Sequence, residues 1–220
     1  MVALLLALFV QEATAEDAAA FLKRIEEKAA SAKTLRWKST ANVAADKKEI
    51  KVTTHGAFKD GNKVSLKGEA KIGEETRTFS LTCDGAKAHS ASGHDGAKTG
   101  DAAKTFAAAL RLATLRTGLF CLNHPPDPDA TDEQLAGIVT IESAAFQKNE
   151  KLGDREARVV SYKATVGGKT ATITLWVDAR TLAPIKRSMA DNEVQIVETY
   201  DEWLVDGEIK DEEFALPKGK

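Results

Sequence analysis

The sequence predicts an α+β fold. Its parts are one curved antiparallel sheet, a helix at the N-terminal end, and a second helix inserted midway to cover the concave face. Three observations carry this. Between residues 35 and 83, and again between 138 and 199, apolar and polar positions alternate, as in strands that turn one face to water. Two stretches, 16–33 and 100–117, change to helical spacing. No linker or repeat divides the 220 residues, so a single domain is expected over 16–220.

Residues 1–15 read MVALLLALFVQEATA. The apolar run from Val2 to Val10 has the length of a signal-peptide core and is too short to span a bilayer. Ala13-Thr14-Ala15 forms an A-x-A cleavage pattern. No Lys or Arg precedes the run, and a buried N-terminal helix is the alternative. On the signal reading the mature protein is soluble outside the cytoplasm, periplasmic or secreted. No Cys follows the cleavage pattern, so a lipid anchor is not expected.

The first helix is expected over 16–33. Ala19, Leu22, Ile25, Glu26 and Ala29 mark one face, and Phe21, Lys28 and Ala32 an adjoining one. Alternating strands follow. Leu35, Trp37, Ser39, Ala41 and Val43 share one side, as do Ile50, Val52, Thr54, Gly56 and Phe58, and then Val64, Leu66, Gly68, Ala70 and Ile72. Lys59-Asp60-Gly61-Asn62 is a hairpin turn. Phe79, Leu81 and Cys83 lie on the next strand, which ends in Asp84-Gly85.

The second helix is expected over 100–117, capped by Asp101 and stopped by Gly118. Ala103, Phe106, Ala107, Leu110, Ala113 and Thr114 form its inward face, widened by Leu112 and Leu115. Lys104, Arg111 and Arg116 are its charged positions. A helix this apolar belongs in the concave side of the sheet. The apolar run continues through Leu119, Phe120, Cys121 and Leu122. Residues 123–132 read as a loop, broken by Pro125, Pro126 and Pro128. Its acids Asp127, Asp129 and Asp132 lack a calcium-loop pattern, and a solvated lid loop is the reading taken. Two further strands are expected over 138–147 and 155–166.

Cys83 and Cys121 are the only cysteines; they form either a disulfide or two separate buried thiols. Of the four histidines, His89 and His94 form the only near pair, with no third ligand, so no metal site is expected. A net charge of −2 without a basic stripe argues against nucleic-acid binding. No nucleophile elbow, phosphate loop or H-E-x-x-H occurs, so neither an enzyme nor a cofactor is implied.

Three segments carry a family resemblance. The C-terminal stretch holds LWVD followed by T-x-x-P-I-K (Leu175 to Lys186) and closes on F-x-x-P-x-G (Phe214, Pro217, Gly219). The third segment, Leu81 to Ala88, is a strand ending in Asp-Gly. In this order they resemble the outer-membrane lipoprotein carrier (LolA-like) family and its broader relatives. The resemblance implies a half-open β-barrel plugged by central helices. It further implies a monomeric periplasmic carrier or chaperone for a lipoprotein or another lipid, with a membrane-bound donor and acceptor. Some relatives are envelope sensors that bind proteins, and an interaction module on the same fold is the alternative. Two positions depart from the family pattern. His89, Ser90, Ala91 and Ser92 stand where bulky aromatics are common, and Lys59 and Lys63 fall nearest to a lid-latching Arg. The residues expected to line a lipid cavity are Val52, Leu66, Phe79, Leu81, Phe106, Leu110, Leu119, Phe120 and Phe146. Burying apolar surface is all that holding an acyl chain requires.

Overall fold

The computed structural model describes residues 16–45, 48–93, 96–119, 126–166, 168–191 and 194–217. Helix α1 (Ala18–Ser31) comes first. Asp17 caps it, its carboxylate accepting the Ala20 N–H at 2.7 Å. The buried stripe is Ala18, Phe21, Leu22, Ile25 and Ala29, so Phe21 takes the inward place expected of Ala19. Strands β1 (Thr34–Ala45), β2 (Lys48–Lys59), β3 (Lys63–Ile72), β4 (Glu75–Asp84), β5 (Lys87–Ser92) and β6 (Gly96–Asp101) then run back and forth. Helices α2 (Phe106–Thr117) and α3 (Asp132–Ala136) follow. The second half is β7 (Val139–Phe146), β8 (Glu150–Leu152), β9 (Arg155–Val166), β10 (Lys169–Asp178), β11 (Pro184–Ala190) and β12 (Val194–Val205). A short 3-10 turn, Asp211–Phe214, is the last described helical element.

All twelve strands belong to one sheet, in the order β6-β5-β4-β3-β2-β1-β12-β11-β10-β9-β7, with β8 added beside β9. Every described pairing is antiparallel, and β12 returns beside β1 to join the two halves. The sheet does not close, since β6 and β7 stand at opposite ends of this order.

The expected alternation sets the register. Ala41 faces Val52, Leu66 faces Leu81, and Val64 faces Cys83. Ile173 faces Tyr162 and Met189. One core cluster gathers these with α1 and α2, drawing residues from both halves of the sheet. A sheet that packs a single face onto one helix pair must curve round it. The fold is thus an open, curved antiparallel sheet with α1 and α2 on its concave side. The outer face is mostly wet. Two small clusters lie apart from the main core: Ala157, Val159, Trp176 and Ile185, with Leu152 of β8 laid against them, and Ala57 with Ile209 and Phe214.

Three sequence expectations are corrected. Gly100 and Asp101, expected to open the second helix, instead end strand β6 (Gly96–Asp101), so Asp101 pairs opposite Lys87 and does not cap α2. Helix α2 begins only at Phe106 and stops at Thr117. The loop expected over 123–132 gives way to α3 at Asp132, where Thr131 and Gln134 form a reciprocal capping box.

Candidate functional site: the groove between the two helices

Helices α1 and α2 pack against each other, and a groove of about 500 Å³ opens between them. Ala107, Leu112 and Leu115 of α2 and Ala29 of α1 give it apolar walls. Lys23, Lys104 and the turn from Lys59 to Asn62 rim it, and Arg111 lines it from α2.

Polar anchors at both ends fix α2 in place. Its first turn has no side-chain cap of its own. Asn62, at positive φ in the β2–β3 turn, does that work from outside the helix. The Asn62 Oδ1 accepts the Ala107 N–H at 2.8 Å, while Nδ2 donates to the Ala103 carbonyl at 2.9 Å. Asp132 adds a further hold by accepting from the Thr105 N–H at 3.1 Å. Hydrogen bonds from the Thr105 hydroxyl and then the Thr105 N–H keep the Asp132 carboxyl below the usual carboxylate range.

The C-terminal end rests on a buried ion pair. Arg187 of β11 faces Glu198 of β12 at 3.2 Å, with side chains 2% and 3% exposed. Arg187 also donates to the Leu115 carbonyl at 2.5 Å and to the Tyr200 hydroxyl. The Tyr162 hydroxyl donates to the Arg116 carbonyl at 2.5 Å. Glu198 accepts from the Tyr200 hydroxyl at 2.9 Å and from the Leu119 N–H at 3.3 Å. A guanidinium at the negative end of a helix is favourably placed, and here it also satisfies a last-turn carbonyl. Burial opposes the Arg187 charge, but the facing Tyr200, Tyr162 and Glu198 oxygens outweigh it and hold the group charged. Burial pushes both phenols above their ordinary value, with Arg187 pulling the other way.

Gly118 is required at this junction. Its φ of 55° and ψ of −132° suit no side chain, and a Cβ there would meet Arg187 and Glu198 at 1.9 and 2.1 Å. Arg116 ties α2 sideways, donating to both Glu26 oxygens at 2.8 and 3.0 Å and to the Val139 carbonyl at 2.9 Å. Between these anchors, Ala108 is exposed and Leu112 half-buried along the groove.

The structure brings most of the expected cavity residues together. Val52, Leu66, Leu81, Phe106, Leu110 and Leu119 are all buried in the core cluster, and Phe79 packs against it half-buried. These side chains fill the space beneath α2. Phe146 also packs half-buried against this cluster, beside Phe21 of α1 with ring centres 5.4 Å apart, where Arg158 stands over both rings. Phe120 lies outside the described residues, as does Cys121. Cys83 is a free thiol, fully buried beside Val64 and Ala88; the disulfide expected as one alternative involves Cys121, outside the described residues. Burial raises its pKa. Lys59 and Lys63, nearest the family's latch position, both pair instead with Asp211, at 2.7 and 3.1 Å. Among the described residues no His, Cys, Asp and Glu side chains converge as a metal site, and no helix is long and apolar enough to cross a membrane.

Sequence reasoning missed Asn62, Arg111, Arg187 and Glu198. Two of these carry a readable signal. Arg187 stands in phase with Met189, and Glu198 with Ile196 and Tyr200, so each is a charge on the core side of an alternating strand.

No protein-family model and no curated protein matches the sequence. Solved structures do. The chain is similar to LprF from Mycobacterium bovis at 14% identity, covering 92% of this chain and 97% of that one, with a TM-score of 0.48. It is similar to the lipoprotein LppX of Mycobacterium tuberculosis at 14% identity, covering 84% and 95%, with a TM-score of 0.44. It is also similar to a LolA superfamily protein from Nitrosomonas europaea at 11% identity, covering 92% and 99%, with a TM-score of 0.36.

Proposed function

We propose that the protein is a carrier or chaperone of the cell envelope that holds an acyl chain of a lipid or lipoprotein along the groove between α1 and α2. One observation carries this reading: an apolar-walled groove of about 500 Å³ stands open between the helices that cover a curved apolar sheet. That volume lies within the range of small-molecule sites, roughly 300–1,000 Å³. About ten buried methylenes contribute roughly 8 kcal/mol before ordering costs. Catalysis would need convergent reactive groups, which a lipid carrier does not.

The groove walls Ala107 and Leu115 belong to the same cluster as Leu66, Leu81, Phe106 and Leu110. In this reading a longer chain passes from the groove towards those residues and on to Val52 and Phe79 as α2 shifts. The protein works as an exported monomer from which residues 1–15 are removed, taking cargo from a membrane donor and passing it to an acceptor. One observation favours the second reading, a protein-interaction module without lipid transfer: the space under α2 is filled by side chains.

The test is native mass spectrometry with lipid extraction on the exported, processed protein. A co-purifying acylated species that disappears in Leu112→Glu supports the carrier. A clean apo mass with no uptake of added fatty acid overturns it in favour of the interaction module.

A further inference from the structure

We propose that the groove selects an amphiphile with a small oxyanion head group, a carboxylate or phosphate ester, held by Arg111. This rests on the acyl-binding reading above and adds to it the chemistry of the head.

Arg111 is 9% exposed, yet among the described residues no carboxylate pairs with it. One nitrogen, Nη1, donates to the Ala29 and Ala32 carbonyls at 3.1 and 2.8 Å, which caps the end of α1. That cap occupies only part of the fork. Nε is buried without a partner, and Nη2 makes no hydrogen bond. A guanidinium offers five donors in a planar array matched to two oxygens of one anion. Buried donors left unpaired are costly, so a bound oxyanion completes this side chain better than the free protein does.

The groove carries charges of both signs, most of them already paired. Lys23, Lys59, Lys104 and Arg111 meet Glu26, Glu27 and Asp60 at the groove. Glu26 is taken by Arg116, Glu27 by Lys23, and Lys59 by Asp211. Lys104 and Arg111 then remain, facing Asp60 across the groove. Asp60 and Asp206 act on Arg111 through space, but burial outweighs them and lowers its pKa. The Phe58 ring packs on the guanidinium, its centre 5.4 Å from the guanidinium carbon. Beside the cation lie Leu112 and Leu115, so one ligand can set its head on Arg111 and its chain along α2.

Three probes separate the claims: 1-oleoyl-lysophosphatidic acid, 1-oleoylglycerol with the same chain and no charge, and inorganic phosphate alone. Each is titrated by calorimetry on the full chain. The lysophosphatidic acid is expected to bind tenfold or more tighter than the neutral lipid. Arg111→Met should cut that preference below threefold while keeping the neutral lipid bound. Lys104→Gln, at an exposed rim position, should lower it about twofold at low salt and decides the matter if Arg111→Met does not fold. Equal binding of the two lipids overturns the head-group inference and leaves the acyl reading standing. Binding of neither overturns both. Phosphate alone matching the lysophosphatidic acid overturns the amphiphile in favour of a free anion. A preference that survives intact in Arg111→Met, or in Lys104→Gln where that variant decides, overturns the assigned role.

Discussion

Replacing Glu198 by Ala removes the carboxylate that faces Arg187 at 3.2 Å inside the sheet. It leaves a guanidinium 98% buried, and it removes the acceptor of the Leu119 N–H and the Tyr200 hydroxyl. Breaking a buried pair from one side costs about 3–5 kcal/mol, because the surviving charge stays desolvated. For a chain of this size each kcal/mol lowers the melting temperature by roughly 2–4 °C, which gives a fall of about 6–20 °C. Scanning calorimetry reads this directly. The control is Glu27→Ala, whose partner Lys23 lies 3.8 Å away with both side chains well exposed. That pair is worth at most about 0.5 kcal/mol, so its loss should move the melting point by less than about 2 °C. The double substitution Arg187→Met with Glu198→Leu should recover most of the loss, since no buried charge remains. A Glu198→Ala protein that melts within 2 °C of the parent, or alongside Glu27→Ala, would refute the claim that this pair pins the end of α2.

Tyr162 and Tyr200 are the only tyrosines, and burial raises both phenols. Their folded pKa values exceed the unfolded value near 10, so their contribution is intact below about pH 10 and is lost as pH rises through the folded values. Absorbance titration should therefore show no tyrosinate until the protein unfolds, and ionisation at pH 10 in the folded state would count against the network. The Cys83 thiol, buried and raised in pKa, should resist iodoacetamide at pH 8 and label only in denaturant, as read by peptide mass mapping. Labelling of Cys83 at equal rates in both states would contradict its placement. Gly118→Ala should cost several kcal/mol in urea unfolding, through a Cβ driven into Arg187 and Glu198. Gly73→Ala, also at positive φ but with open space around it, should cost only about 1 kcal/mol. Similar losses for the two glycine variants would remove the special role of the α2 terminus.

Alternation made most of the sheet readable. Leu66, Leu81 and Ile173 take the inward places their phase assigns, and Pro184 opens a strand where it can do so without a ladder donor. Other elements carry little local signal. The residues of β6, GAKTGD, show no β-forming run, and the strand exists because the β5 edge offers a ladder. Without that pairing in view, 100–105 reads as the start of the second helix. The first turn of α2 is capped by Asn62, 45 positions away, and no local pattern can announce such a partner. The cavity posed a different difficulty. A core residue and a cavity wall share one sequence pattern, so Phe106 and Leu110 could be named while the filled space around them could not be foreseen. Arg111 read as a charged surface position of α2, yet its stem is buried and its head caps α1.

The central claim is that acyl chains lie between α1 and α2. Photo-crosslinking with a fatty acid carrying a mid-chain diazirine, followed by peptide mapping, tests it most directly. Adducts should concentrate on α2 from Ala107 to Leu115 and on α1 around Ala29 and Ala30. They should be competed away by unlabelled fatty acid and be lost in Leu112→Glu. Adducts confined to the outer face, or no competable adduct at all, would contradict the account.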